Sequence, residues 1–269
     1  MKKIITMLCL IALITGCGSE KEPDINITVA VSANSTLYNG VETTFQASTS
    51  ENVDEIVFYF DGQSIGSSIS NPYSIKFTPK NISAGNHKIA CIAKKDTKTF
   101  NGETTANVVL RLGDDFQGGK IFYLETTGDH GLIGSLEDMY HQNDKSDVGF
   151  IWGGSGTLLG TDLDNGKENT AKMVEISTSS DYAGYVLKST YSYNGYNDWY
   201  IPSYNELVLL SDNKEYIGTF TRSDISWQNY YWSSSESNET KAFCLNFFAL
   251  AGNNSDKGLN KKVRLIRKF

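Results

Sequence analysis

The sequence predicts two folded units in tandem, an all-β sandwich followed by an α+β domain. Three observations carry that expectation. Residues 25–112 hold short runs of alternating apolar and polar residues, separated by turn signals at even spacing, with no helical stretch. Residues 113–269 instead group helix signals in the middle, with strand-like runs on either side. Between the two stands Gly113-Asp114-Asp115-Phe116-Gln117-Gly118-Gly119, whose glycines allow a sharp change of direction.

The chain start has a different character. Lys2 and Lys3 precede the apolar run Ile4–Ile14, which is too short to span a bilayer and reads as a cleaved signal over Met1–Gly16. Ile14-Thr15-Gly16-Cys17 has the apolar, small, small, cysteine order of a bacterial lipobox. The resemblance to lipoproteins implies that Cys17 becomes the lipidated N-terminus, where several acyl chains give stable anchoring. The expected address is the cell envelope, at the outer membrane, with either face open. Residues 17–24 form a polar tether, GSEKEPD following the cysteine.

The 269 residues carry 24 basic and 31 acidic side chains, a net charge of −7. An acidic, envelope-directed chain is a poor fit to nucleic acid. With 39% hydrophobic and 12% aromatic residues it can bury real cores. Cys9 leaves with the signal and Cys17 carries lipid, so Cys91 and Cys244 remain, one in each half. They form no CxxC and lie in apolar runs, so two buried free thiols are expected over one long bridge.

In the first unit, Ile27-Val29-Val31 alternates and Thr43–Ala47 follows the turn Asn39-Gly40. Ile56–Phe60 runs into Asp61-Gly62, a strong hairpin signal. Ser74–Phe77, Lys88–Ala93 and Ala106–Leu110 complete the strands, and His87 reads as a solvated turn residue. VFYFDGQSIG, NPYSIKF and SAGNHKIACIA resemble the bacterial Ig-like domains found beside surface and carbohydrate-active modules. That resemblance implies a spacer, without the usual inter-sheet disulfide, because Thr43–Ala47 has no cysteine to face Cys91.

In the second unit, Lys120–Leu124 and Gly131–Ser135 read as strands, and Phe150-Ile151-Trp152 is apolar. The glycine-rich run Gly153–Gly160 lacks the order and lysine of a phosphate-binding loop. Helices are expected over about Glu168–Ile176, with Ala171 and Val174 inward, and over about Tyr182–Lys188. The strongest local signal is Asn194–Leu210. Trp199-Tyr200-Ile201 is a strand that Pro202 ends, and Ser203 with Glu206 makes a capping box opening onto Leu207–Leu210. Tyr230–Ser233, Lys241–Phe248 and Lys262–Lys268 are strand-like.

GGKIFYLE, HGLIGSLED, NGYNDWYIPSYNEL, YYWSSSE and KVRLIRKF, in this order, resemble the Lcl C-terminal domain family, whose fold is C-type lectin-like. The resemblance spans nearly all of residues 113–269. It implies that the first and last strands pair, joining Lys120–Leu124 to Val263–Lys268. The adhesin that names the family binds sulfated glycans, a specificity that does not transfer to an acidic chain. Lys257, Lys261, Lys262, Arg264, Arg267 and Lys268 gather near the end, and the preferred reading is a solvated edge strand guarded by charge. Alternation points Lys262 and Arg264 to one face.

Sugar binding needs aromatic faces and planar polar groups. Both are dense between Ser223 and Asn254, so Trp227, Tyr230, Tyr231, Glu236, Asn238, Asn253 and Asn254 are the candidate ligand-binding residues, with Trp227 expected to be the exposed ring. Calcium, which takes six to eight oxygens, is the metal to look for near Glu236, Asn238, Glu239 and Asp256. Asp198, Trp199, Pro202, Ser203, Glu206, Trp232, Arg264 and Arg267 are read as structural, with Trp199 and Trp232 in the core. His130 and His141 have no metal-site spacing, and no G-x-S-x-G elbow occurs, so no catalytic residue is assigned and binding is expected rather than turnover. The leading reading is a lipid-anchored envelope protein that contacts a glycan or a surface protein through its C-terminal domain. The alternatives are an assembly module, in which an oligomer would cover the aromatics, and an enzyme on the same fold.

Overall fold

The structure, a computed structural model, describes residues 29–141, 149–188, 191–218, 220 and 222–269. The expected targeting segment, Cys17 and the expected tether lie outside them. No helix among the described residues is long and apolar enough to cross a membrane.

The first unit is a two-sheet sandwich. Its strands are β1 (Val29–Ser32), β2 (Thr36–Tyr38), β3 (Thr43–Thr49), β4 (Glu55–Phe60), β5 (Gln63–Ser68), β6 (Tyr73–Phe77), β7 (Gly85–Lys95) and β8 (Lys98–Val109). One sheet has the order β1-β3-β6, the other β2-β8-β7-β4-β5, with β2 and β8 parallel. Strict alternation sends Phe45 and Ala47 from one sheet, and Ile56, Phe58, Phe60, Ile89 and Cys91 from the other, into a shared core. The β4–β5 hairpin closes at Asp61 (φ 47°) and Gly62 (φ 81°), the paired left-handed geometry that an Asp-Gly turn supplies. His87 is not a solvated turn residue. It lies in β7, stacks on Phe60 at 5.2 Å and meets Asp61 Oδ2 at 2.6 Å.

The second unit begins with β9 (Asp115–Phe116), β10 (Gly119–Leu124) and β11 (Gly131–Gly134). Among the described residues four α-helices follow: α1 (Gly166–Ile176), α2 (Ala183–Val186), α3 (Tyr204–Asp212) and α4 (Lys214–Ile217). The strands β12 (Tyr230–Glu236), β13 (Lys241–Asn246), β14 (Ala251–Asp256) and β15 (Ile266–Lys268) close the chain. In α1 the inward residues are Asn169, Thr170 and Met173; Ala171 is exposed and Val174 half-buried. The helix turns toward the Trp199–Pro202 segment because Thr170 both donates to Ile201 O (3.1 Å) and accepts from Ile201 N (3.0 Å).

The terminal strand pairs differently from the expectation. β15 lies against β11, in the sheet order β15-β11-β10-β9, so Gly131–Gly134 separates it from β10. Its other side is occupied by Tyr200, which exchanges two backbone hydrogen bonds with Ile266 (2.9 and 3.0 Å). A strand with neighbours on both sides is not a solvated edge, and Arg267 on it is 6% exposed, while Lys268 at its end stays exposed. Lys257, Lys261 and Arg264, which precede the strand, are also buried, at 0, 6 and 1% exposure. The second sheet has the order β12-β13-β14, leaving β14 at its edge.

The units meet at a seam where Leu110 and Ala84 pack against the core of the second unit and polar groups bridge the rest. Asn39 Nδ2 donates to Asp115 O (2.8 Å), and Gln117 N donates to Asn81 Oδ1 (2.7 Å). Arg111 stacks on Tyr38 at 4.8 Å.

Candidate functional site

The corner after Trp199 is a pin. Ser203 Oγ accepts from Glu206 N (3.3 Å), and Glu206 Oε2 accepts from Ser203 N (2.9 Å), completing a capping box. Glu206 also accepts from Gly166 N (3.1 Å) and from the Tyr200 hydroxyl (2.9 Å). A Cβ on Gly166 would stand 2.2 Å from Glu206 Oε2, so only glycine fits there. Burial first, then the Glu206 carboxylate, push the Tyr200 phenol far up, keeping it a proton donor.

The basic residues form three internal clamps. Arg267 grips Asp198 through two bonds, Nε–Oδ1 at 2.7 Å and Nη2–Oδ2 at 2.9 Å, and lies 4.1 Å from the Tyr196 ring. Arg264 and Lys262, which alternation placed together, share Asp138 at 2.6 and 3.2 Å. Lys257 meets Glu236 at 2.8 Å and stands 4.5 Å over the Trp152 ring. The other Glu236 oxygen accepts from Gly160 N (2.5 Å) and Thr161 N (3.2 Å), and Lys257 also donates to Thr157 O (3.0 Å). One buried ion pair thus fastens the whole glycine-rich loop. Asp138 and Trp152 received no role from sequence, and Lys257 was expected on a solvated charged edge, not in a buried ion pair.

The seven candidate ligand residues do not make one surface. Tyr231 is fully buried, its hydroxyl donating to Asp138 (3.2 Å), because its face of β12 joins the core of Leu207, Leu245 and Phe247. Glu236 is buried in its clamp. Trp227 is half-buried in a 3-10 turn, its ring pressed on Gly149, where a Cβ would approach to 2.7 Å. Tyr230 is half-buried beneath Lys261, whose Nζ is 5.0 Å from the ring. Asn238 is exposed, but its Oδ1 accepts from Thr240 N and Lys241 N (both 2.9 Å) and so builds a turn. Asn253 and Asn254 are exposed on β14. Trp199 and Trp232 lie in the core at 4 and 0% exposure.

The calcium expectation meets the same obstacle. Glu236 is spent on Lys257, and Glu239 and Asp256 are exposed at separate positions. Among the described residues no group of three His, Cys, Asp or Glu side chains can hold a metal ion. Cys91 and Cys244 are free and buried, and burial pushes the Cys244 thiol up to about 11.

A different aromatic face does reach solvent. Phe243 on β13 and Tyr204 at the start of α3 are half-buried, with ring centroids 5.0 Å apart and planes at 38°. Asn254 lies directly opposite Phe243 in the ladder, and Asp256 opposite Lys241, on the same face. Directly opposed Cβ atoms stand about 4.5–5.5 Å apart, so Asn254 neighbours the Phe243 ring. Gly252 admits the Tyr204 hydroxyl, since a Cβ there would lie 2.0 Å from it.

Comparison with known proteins bears on the first unit. Residues 23–90 match the bacterial Ig domain family, Big_7. No curated protein matches the chain. Among solved structures, the fibronectin(III)-like modules of Clostridium thermocellum CbhA match at 24% identity and a TM-score of 0.27, covering 31% of this chain and 98% of theirs. The CARDB domain of the PF1109 protein from Pyrococcus furiosus matches at 12% identity and a TM-score of 0.26, covering 31% of this chain and 88% of its own. Bacteroides uniformis beta-glucuronidase 3 matches at 14% identity and a TM-score of 0.28, covering 40% of this chain and 15% of its own. At these scores the structures add nothing to the family match.

Proposed function

We propose that this chain is a lipid-anchored cell-envelope binding protein. The lipid on Cys17 tethers it at the outer membrane, the Ig-like unit spaces it, and residues 113–269 recognise a glycan without chemical turnover. The reading keeps the resemblance of that second unit to the Lcl C-terminal domain and its C-type lectin-like fold. The observation that carries it is the Tyr204–Phe243 ring pair with Asn254 beside it. Two tilted rings give apolar faces for sugar C–H groups, and an amide supplies a donor and an acceptor to adjacent hydroxyls.

A glycan-array screen of the full chain, with and without calcium, tests this. Wild type is expected to bind, Tyr204→Ala and Asn254→Ala to lose binding, and Trp227→Ala to retain it. Loss only in Trp227→Ala returns the site to the 223–230 segment. Silence of the wild type in both conditions refutes glycan recognition.

A further inference from the structure

We propose that β14 is a self-association edge, pairing antiparallel with β14 of a second copy of this chain. The sheet β12-β13-β14 ends there, and no other strand covers the outer side of β14 among the described residues. Exposed edges are ordinarily defended by lysine, proline or a bulge. This one, Ala251-Gly252-Asn253-Asn254-Ser255-Asp256, has no lysine and no proline, and its register on β13 is unbroken over six pairs. Its single charge, Asp256, already lies opposite Lys241.

The two ends of the strand identify the partner. Leu250 precedes it, 61% exposed and held at φ +50°, a backbone region costly for a branched apolar residue. The turn is built to hold it there, since Asn246 Oδ1 accepts from both Phe248 N and Ala249 N (2.9 Å each). With Ala249 and Ala251 it makes an exposed apolar run, a pattern that water disfavours unless something covers it. At the other end stands Leu259, 51% exposed. Antiparallel pairing centred on Asn253 and Asn254 brings the Leu250 end of one copy against the Leu259 end of the other, twice by symmetry. It also keeps the two Asp256 carboxylates apart. The surface is thus complementary to itself, as a twofold interface requires. The pairing uses backbone groups and leaves the Tyr204–Phe243 face open, so it does not depend on glycan binding.

Cysteine cross-linking of the full chain in membranes tests the pairing. Asn253→Cys with Asn254→Cys covers every register centred on these residues. Mild oxidation is expected to shift most of it to a dimer on a non-reducing gel, while Thr178→Cys, exposed just after α1, stays monomeric. Adding Leu250→Lys should lower the cross-linked fraction about five-fold. Dimer absent from the double variant, equal dimer in Thr178→Cys, or a yield untouched by Leu250→Lys overturns the proposal. Independently of any substitution, wild type extracted in mild detergent should migrate as a dimer on a native gel, and a monomer there also overturns it.

Discussion

The two units handle charge in opposite ways. In the sandwich the ion pairs sit in water: Lys88–Glu103 has side chains 57 and 68% exposed, and Lys76–Glu42 has 74 and 56%. Its core is aliphatic and aromatic, and two facing sheets fix it. In the second unit three pairs are drawn inward, although Lys120–Asp115 and Lys172–Glu168 stay in water: Lys257–Glu236 is 0 and 3% exposed, Arg264–Asp138 is 1 and 12%, and Arg267–Asp198 is 7 and 40%. Short strands and long loops cannot close a core by ladder bonding alone. Buried cations there reach the carbonyls and carboxylates that the loops present, and aromatic rings flank them. The lesson is that an acidic chain can hide its basic groups as internal fasteners, so their clustering in sequence says nothing about a basic surface.

The contrast can be broken where it is steepest. Lys257→Met leaves Glu236 buried without its cation and is expected to cost about 3–5 kcal/mol. All four tryptophans, Trp152, Trp199, Trp227 and Trp232, lie in the second unit, so urea unfolding followed by tryptophan fluorescence reads that unit alone. An unchanged midpoint would mean the clamp does not hold the loop. Ser203→Ala removes the cap of α3 and should cost about 1 kcal/mol in the same measurement.

Asp198 sharpens the comparison through pH. Burial raises its pKa, but the Arg267 hydrogen bonds and charge outweigh this, and the carboxyl ends below its usual value. A depressed folded pKa stabilises above the unfolded value, about 3.9, and that stability is lost as pH falls through the folded pKa. Asp198→Asn should therefore be less stable than wild type at pH 6, with the gap in urea midpoints closing below about pH 4. A gap constant across that range would detach Asp198 from the clamp. Smallest of all, Lys88→Ala on the sandwich surface should leave the thermal midpoint within scatter by circular dichroism.

Local signals were legible without the structure. Alternation in β3, β4 and β7 gave the sandwich its inward residues, Asp61-Gly62 gave a hairpin, and S-x-x-E at Ser203 gave a capped helix, because each depends on neighbours a few residues apart. Lys262 and Arg264 do share Asp138, but the expected strand Lys262–Lys268 begins only at Ile266, so strand period is not what brings them together. What failed was everything that needed a third dimension. Tyr231 and Glu236 have the composition of a binding surface, and only the packing of β12 between two cores puts them inside. The basic run had the composition of a guarded edge; β11 and Tyr200 on either side of β15, with Asp198, made Arg267 interior, and Glu236 and Asp138 drew in Lys257 and Arg264, while Lys268 stayed exposed. Periodicity tells which residues share a face; which face meets water is decided by what the rest of the chain stacks against it.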